Sequence, residues 1–268
     1  MKILFTILLV LLALLGSCQV VGEMRSIVSL TNSSYQQEKQ GVFACSNMIA
    51  ASAFANHAQV GLHLENRFMT KGLSNIRFAY LLPKNKGGFA FAGYLAGTGP
   101  INIIGVSAGQ GMRLTEQLGV GIKIETGIAS WNQGEKYVRI GYQTGIIYQV
   151  SEKTSCGIHF GNNRFIKSVK ENILPGYYSL HGGIGHQLNT SIFIACELLK
   201  ETNKPVSLSP SMTWSLGEII QLQAGLSPPI NTGYVGVNWT LKKDMFSVAF
   251  SSHPSLGISG AITLAHEF

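Results

Sequence analysis

Within otherwise apolar stretches of the chain stand Glu65, Arg67, Arg77, Arg113, Lys123, Glu125, Arg139, His159, His181 and Glu197. These residue types allow three kinds of chemistry: metal ligation, nucleophilic or acid–base catalysis, and ion pairing. A metal needs several ligands converging on one point. His63, His159 and His181 share a register that could bring them to one face, whereas His181 and His186 fall on opposite faces of any strand containing both. The expectation is hydrogen bonding, with no metal and no cofactor. Gly105-Val106-Ser107-Ala108-Gly109 spells G-x-S-x-G. That motif works at a sharp strand-to-helix turn, and here it lies inside an alternating stretch, so no catalytic residue is assigned. Cys18, Cys45, Cys156 and Cys196 match no zinc or redox spacing. Ion pairing is left, with two readings open. The charged set either forms a network that holds a structure together or lines a path that selects solutes.

The elements that must position these groups are strands. Leu118, Val120, Ile122 and Ile124 alternate with Gly119, Gly121, Lys123 and Glu125. Leu208, Met212, Trp214 and Leu216 alternate with serines and Thr213 in the same way. At the end of the chain Ile258, Ile262, Leu264, His266 and Phe268 share one parity, and Ser259, Ala261, Thr263, Ala265 and Glu267 share the other. Side chains on a strand alternate faces, so each stretch has one apolar face and one small or polar face. From Gln59 onward the pattern repeats about 14 times between turn signals. The mid-strand charges fall on the polar parity almost without exception.

Composition decides which face points inward. Only 12% of the 268 residues are charged, 46% are hydrophobic and 31 are Gly, with a mean hydropathy of +0.21. A solvated surface would carry more Lys and Glu. After the first 15 residues no apolar run is long enough for a membrane helix, which needs about 20 residues. A hydrophobic chain of this kind spans a membrane only as a closed barrel, its apolar residues diluted by alternation. The fold class expected is therefore all-β: one antiparallel transmembrane β-barrel of about 14 strands, apolar outside and polar within. The net charge of +7 comes from scattered basic residues, not from a Lys/Arg block interleaved with aromatics, so nucleic acid is not an expected partner.

Met1 to Leu15 reads as a secretory signal, with Lys2 as its positive start and a short apolar run after it. Leu15-Gly16-Ser17-Cys18 resembles a bacterial lipobox, which makes Cys18 a candidate for lipidation; ordinary cleavage after Cys18 is the alternative. The expected organisation is a signal over 1–18, a segment over 19–57 lying in or under the barrel mouth, and the barrel over 58–268. Short polar turns (Lys84–Lys86, Thr115–Gln117, Ser151–Lys153, Asn189–Thr190, Gly217–Glu218, Lys242–Asp244) alternate with other connections, among them Asn162 to Pro175, whose Arg164, Lys167 and Lys170 are read as an outer loop. An even strand count puts both termini in the periplasm. It also puts Tyr148, Trp214, Trp239 and Phe268 at one interface, where aromatics are favoured.

Gly41 through Leu81 resembles outer-membrane barrels of Bacteroidota, of the PorV/PorQ type within the FadL-like superfamily. Ser46-Asn47 through Asn56 sits where those proteins carry a segment ahead of strand one, here without its Pro-Ala-Gly core. Val60-Gly61-Leu62 and Glu65-Asn66-Arg67-Phe68 look like the first strand and loop. Ser252-His253-Pro254, Leu256-Gly257 and the strand ending in Phe268 look like the last hairpin. The resemblance implies a non-enzymatic outer-membrane component tied to type IX secretion, with secretion-system or other envelope proteins as partners beside lipid, lipopolysaccharide and the barrel-assembly machinery. The alternative it carries is a FadL-like passive channel for small or hydrophobic solutes.

The closing strand, with Ile262, Leu264 and Phe268 on its apolar face, is expected to pair with Gln59 to Arg67. Deleting Phe268 should lower the amount of barrel assembled in the membrane, measured by heat-modifiable gel mobility, while export across the inner membrane continues. Normal assembly of the shortened chain would overturn that role.

Overall fold

The computed structural model describes Tyr35 and residues 41–97, 101–131, 135–167, 176–227 and 232–268. The signal segment, Cys18 and Lys170 lie outside the described residues. Fourteen strands follow one another: β1 (Gln59–Asn66), β2 (Ser74–Lys84), β3 (Gly87–Ala96), β4 (Ile101–Arg113), β5 (Leu118–Trp131), β6 (Glu135–Ser151), β7 (Thr154–Lys167), β8 (Tyr177–Gln187), β9 (Ile192–Glu201), β10 (Ser207–Leu216), β11 (Ile220–Ser227), β12 (Thr232–Leu241), β13 (Asp244–His253) and β14 (Gly257–Glu267). Each pairs antiparallel with the next, and β14 pairs with β1 to close the barrel. Leu62 faces Leu264 and Leu64 faces Ile262 across the closing seam. The Phe268 N–H donates to the Ala58 carbonyl at 2.9 Å, so the seam is hydrogen-bonded to the last residue.

The faces are inverted relative to a soluble protein. Ile124 is 63% exposed while its neighbour Lys123 is 7% exposed. The same holds around the wall: Ile104, Val106, Ile140, Val235 and Phe250 stand outward and open. Soluble monomers rarely expose so continuous an apolar surface; hydrocarbon is the solvent that suits it. Tyr148, Trp214, Trp239 and Phe268 stand together on the rim that carries the short turns and both barrel termini.

Three local departures from the alternation have physical causes. First, β1 stops at Asn66, and Arg67–Met69 forms a 3₁₀ turn in which Phe68 and Met69 have φ of 55° and 49°. Such a backbone is costly for bulky residues. It is held by the Phe68 N–H donating to Ser259 Oγ at 3.0 Å and by the edge-on Phe68–His253 ring contact. Second, β7 runs on to Lys167, so Arg164 and Lys167 belong to a strand and not to the loop expected there; the β6–β7 ladder extends to Tyr137↔Lys167. Third, Pro210 in β10 has no N–H to give. The β10–β11 ladder begins only at Ser211↔Gly225, and the Ser209 hydroxyl donates to the Leu226 carbonyl at 2.7 Å in place of the missing amide. A lipid-facing groove of about 680 Å³ lies at this point, bordered by Pro210, Met212, Val235 and Phe250.

Residues 42–55, ahead of β1, lie inside the barrel. Helix α1 (Val42–Asn47) and a 3₁₀ segment (Ile49–Phe54) are buried over almost their whole length. Val42, Phe43 and Ile49 pack on Ala79, Leu81 and Ala90 of the wall. The wall meets them with glycine. A Cβ on Gly111 would stand 2.5 Å from Ser52 Oγ and 2.6 Å from Ala53 N, and one on Gly121 would stand 2.7 Å from Ala50 N. These inward positions are glycine because backbone packs on backbone there.

Gly111→Ala should therefore destabilise the folded barrel by about 1–3 kcal/mol, the usual range for overpacking. Gly93→Ala, whose new Cβ would meet only the Gly105 carbonyl at 3.9 Å, should be close to neutral. The temperature at which each variant loses its compact gel mobility measures the difference; equal temperatures would count against close packing at Gly111.

Candidate functional site: the barrel lumen

All ten polar residues singled out in the sequence sit on the inward parity of the wall or, in the case of Arg67, at its rim. They do not form one cluster. On β5 and β6, Lys123 Nζ lies 2.8 Å from Glu125 Oε1, and Arg139 Nη2 lies 3.0 Å from Glu125 Oε2. Arg139 also donates to the Tyr94 hydroxyl at 3.0 Å and to Asn163 Oδ1 at 3.3 Å, with its guanidinium over the Tyr94 ring. Near the closing seam, Glu65 is shared by Arg67 at 3.2 Å and His63 at 3.5 Å. His63 Nδ1 lies 2.9 Å from Thr263 Oγ1, tying β1 to β14. On β7 to β9, the rings of His159 and His181 stack at 4.2 Å, and His181 Nδ1 lies 3.2 Å from Glu197. Arg113 stands apart from these three groups, and Arg77 faces His63 across β1 and β2 and Tyr94 across β2 and β3.

The first group also holds the inner segment. Lys123 Nζ donates to the Ser46 carbonyl at 2.8 Å and Gln143 Nε2 to the Asn47 carbonyl at 2.9 Å. Ser46 and Asn47 end α1, where carbonyls lack intrahelical donors and the helix dipole is negative. Arg113 donates to the Ala53 carbonyl at 3.3 Å and lies over the Phe54 ring. Ser52 Oγ reaches the Ile49 and Gly88 carbonyls. Cys45 is sealed in this packing, and burial pushes its thiol pKa up to about 12.

Sequence reading missed Tyr94, Asn163, Gln143 and Glu201 as members of the site. Glu201 ends β9 facing inward, where it meets the Tyr177 hydroxyl and Lys204. Tyr94 could have been found from its parity on β3, directly across from Arg77. Catalysis finds little support in this geometry. Ser107 is mid-strand in β4 opposite Glu125, and the Tyr94 ring covers Gly105, so G-x-S-x-G forms no nucleophile elbow. Among the described residues no group of three His, Cys, Asp or Glu side chains converges as a metal site.

No protein-family model matches the sequence, and no curated protein is similar to it. Solved structures do share its fold. The CymD monoaromatic hydrocarbon channel is 13% identical, with a TM-score of 0.66 over 88% of this chain and 94% of its own. The toluene transporter TbuX of Ralstonia pickettii is 12% identical, with a TM-score of 0.65 over 85% and 94%. The toluene transporter TodX of Pseudomonas putida is 12% identical, with a TM-score of 0.61 over 89% and 95%. The chain thus shares with them the closed antiparallel barrel fold of outer-membrane proteins. None of these three structures is described as being of the PorV/PorQ type.

Removing the two donors that hold α1, in Lys123→Gln with Gln143→Ala, leaves two half-buried carbonyls short of partners at a cost of about 1–2 kcal/mol. The inner segment should then leave its seat about tenfold more often. In a background with Cys18, Cys156 and Cys196 changed to Ser, maleimide labelling of Cys45 at pH 8 reads this directly. Slow labelling is expected in the parent and faster labelling in the double variant; equal rates would show that the two donors do not hold the segment.

Proposed function

We propose that this chain is a passive outer-membrane channel for small or hydrophobic solutes, partly filled by its own residues 42–55, and not an enzyme. The observation that carries the reading is the inversion of the wall: an apolar exterior suited to lipid around an interior of paired charges, hydroxyls and glycines. A barrel of this strand number lies between side-chain-filled small barrels and wide aqueous porins. The inner segment takes up part of that interior. The likeness to barrels described as hydrocarbon channels and toluene transporters supports the same reading. In it the short turns and both barrel termini face the periplasm. Lipid surrounds the apolar band, lipopolysaccharide borders the opposite rim, and Phe268 is the handle for the barrel-assembly machinery. A secretion-associated role of the PorV/PorQ type, with type IX or other envelope partners, has the short sequence likeness behind it and no observation in the wall or lumen that favours it.

Purified protein in planar bilayers should give steady single-channel conductance, and the Lys123→Gln/Gln143→Ala variant should conduct more than the parent. A heat-modifiable barrel that stays electrically silent in both forms, and co-purifies with secreted-protein export components, would overturn the channel and restore the secretion reading.

A further inference from the structure

Every lumen carboxylate described above has a partner: Glu65 has His63 and Arg67, Glu125 has Lys123 and Arg139, Glu197 has His181, and Glu201 has Lys204. Arg77 is different. It faces inward from β2, between His63 on β1 and Tyr94 on β3. Its Nε is buried and donates to nothing in the protein. Guanidinium is always charged and presents a planar fork of donors. A buried donor of this kind without an acceptor is unfavourable until something supplies one.

Its surroundings are built for a guest. The next inward positions along β2 are Ala79 and Leu81, which belong to the apolar seat of α1. Arg77 therefore stands at the first polar level beyond the inner segment, on the side away from the barrel termini. Tyr94 links it to a second cation: Tyr94 is its Cα partner, and the Tyr94 hydroxyl accepts from Arg139. One inward step the other way along β2, about 7 Å off, Asn75 is 3% exposed and its Oδ1 has no donor. A guanidinium whose buried Nε has no acceptor and an amide oxygen short of a donor share one face of one strand, and the Glu65 carboxylate across from Asn75 is already held by Arg67 and His63.

We infer that Arg77 is an oxyanion-binding site in the lumen, taking the carboxylate or phosphate of a small solute, with Asn75 accepting from a hydroxyl or amine of the same molecule. Carboxylate and phosphate both match the two parallel donors of the fork. The inference rests on the channel reading and narrows it, from small or hydrophobic solutes in general to small solutes that carry an anionic end.

The test uses the full-length barrel in planar bilayers. Zero-current potential across a tenfold KCl gradient should show anion preference, and millimolar succinate or inorganic phosphate should reduce chloride conductance. The stronger blocker identifies the oxyanion. Arg77→Gln should abolish the block and lower the anion preference at least fivefold. Arg77→Lys should keep the preference but weaken the block, because a point charge replaces the fork. Heat-modifiable mobility confirms that each variant is a folded barrel. A conducting wild type that neither anion blocks, or an Arg77→Gln barrel blocked as well as wild type, would overturn the inference and leave the channel intact. If the wild type does not conduct, the channel reading fails first. Calorimetric titration of the detergent-solubilised protein with succinate and phosphate then decides the site alone: heat lost in Arg77→Gln supports it, and no heat in the wild type overturns it.

Discussion

Hydrocarbon offers a peptide group no hydrogen-bond partner, so a strand placed in it must find partners for both of its edges in protein. Everything in this chain follows from that constraint. A sheet meets it only by returning to its own first strand, and here β14 returns to β1 in full register from Gln59↔Glu267 to Asn66↔Gly260. Closure fixes an inside. Once there is an inside, period-two alternation sends every second side chain there, whatever its chemistry. The position of Pro210 shows how strictly the constraint is enforced: where one amide is missing, a serine hydroxyl serves the stranded carbonyl.

The interior then has to be filled or lined, and the two halves of the wall solve this differently. On β1 to β7 the inward face is cut back to glycine at Gly61, Gly88, Gly111, Gly121 and Gly157, and the inner segment lies against it. The same half carries the Glu65 and Glu125 ion pairs. On β10 to β14 the inward face carries Ser207, Ser209, Thr213, Gln221, Asn238, Ser247, Ser251 and Thr263 around a small apolar pair, Ala249 and Ala261. The charged half grips a helix end by its carbonyls, and the neutral half has no such task. A serine-rich strand and a glycine-and-charge-rich strand look equally polar in sequence, but they line different sides of one lumen.

That difference marks how far the sequence could be read. Parity was legible in β5 and β14 because a membrane barrel tolerates almost no outward charge, so Lys123 and Glu125 declare their face. Strand number was legible because turn residues punctuate a single meander. Register was not, and the ion pairs depend on register: Glu125 meets Arg139 only because β5 and β6 are aligned as Glu125↔Gly141. The grip of Lys123 on Ser46 spans 77 residues of chain, and nothing local in either stretch announces it. The turn at Arg67–Met69 was hidden for a different reason, since its positive φ angles are held by β14 and not by turn residues.

The inner segment precedes β1 by only a few residues, Ala55 to Ala58, and it packs against the first strands of the chain. A ring cannot be shut around a segment that is not yet in place unless the segment later threads through its mouth. The short tether and the glycine seat make early seating the direct route. While β1 to β6 are still an open, curved sheet, α1 can lie down on their concave side, and the last hairpin then closes over it. The segment acts in that sequence as a mandrel, giving the growing sheet a curvature to bend around before there is any partner for its free edge.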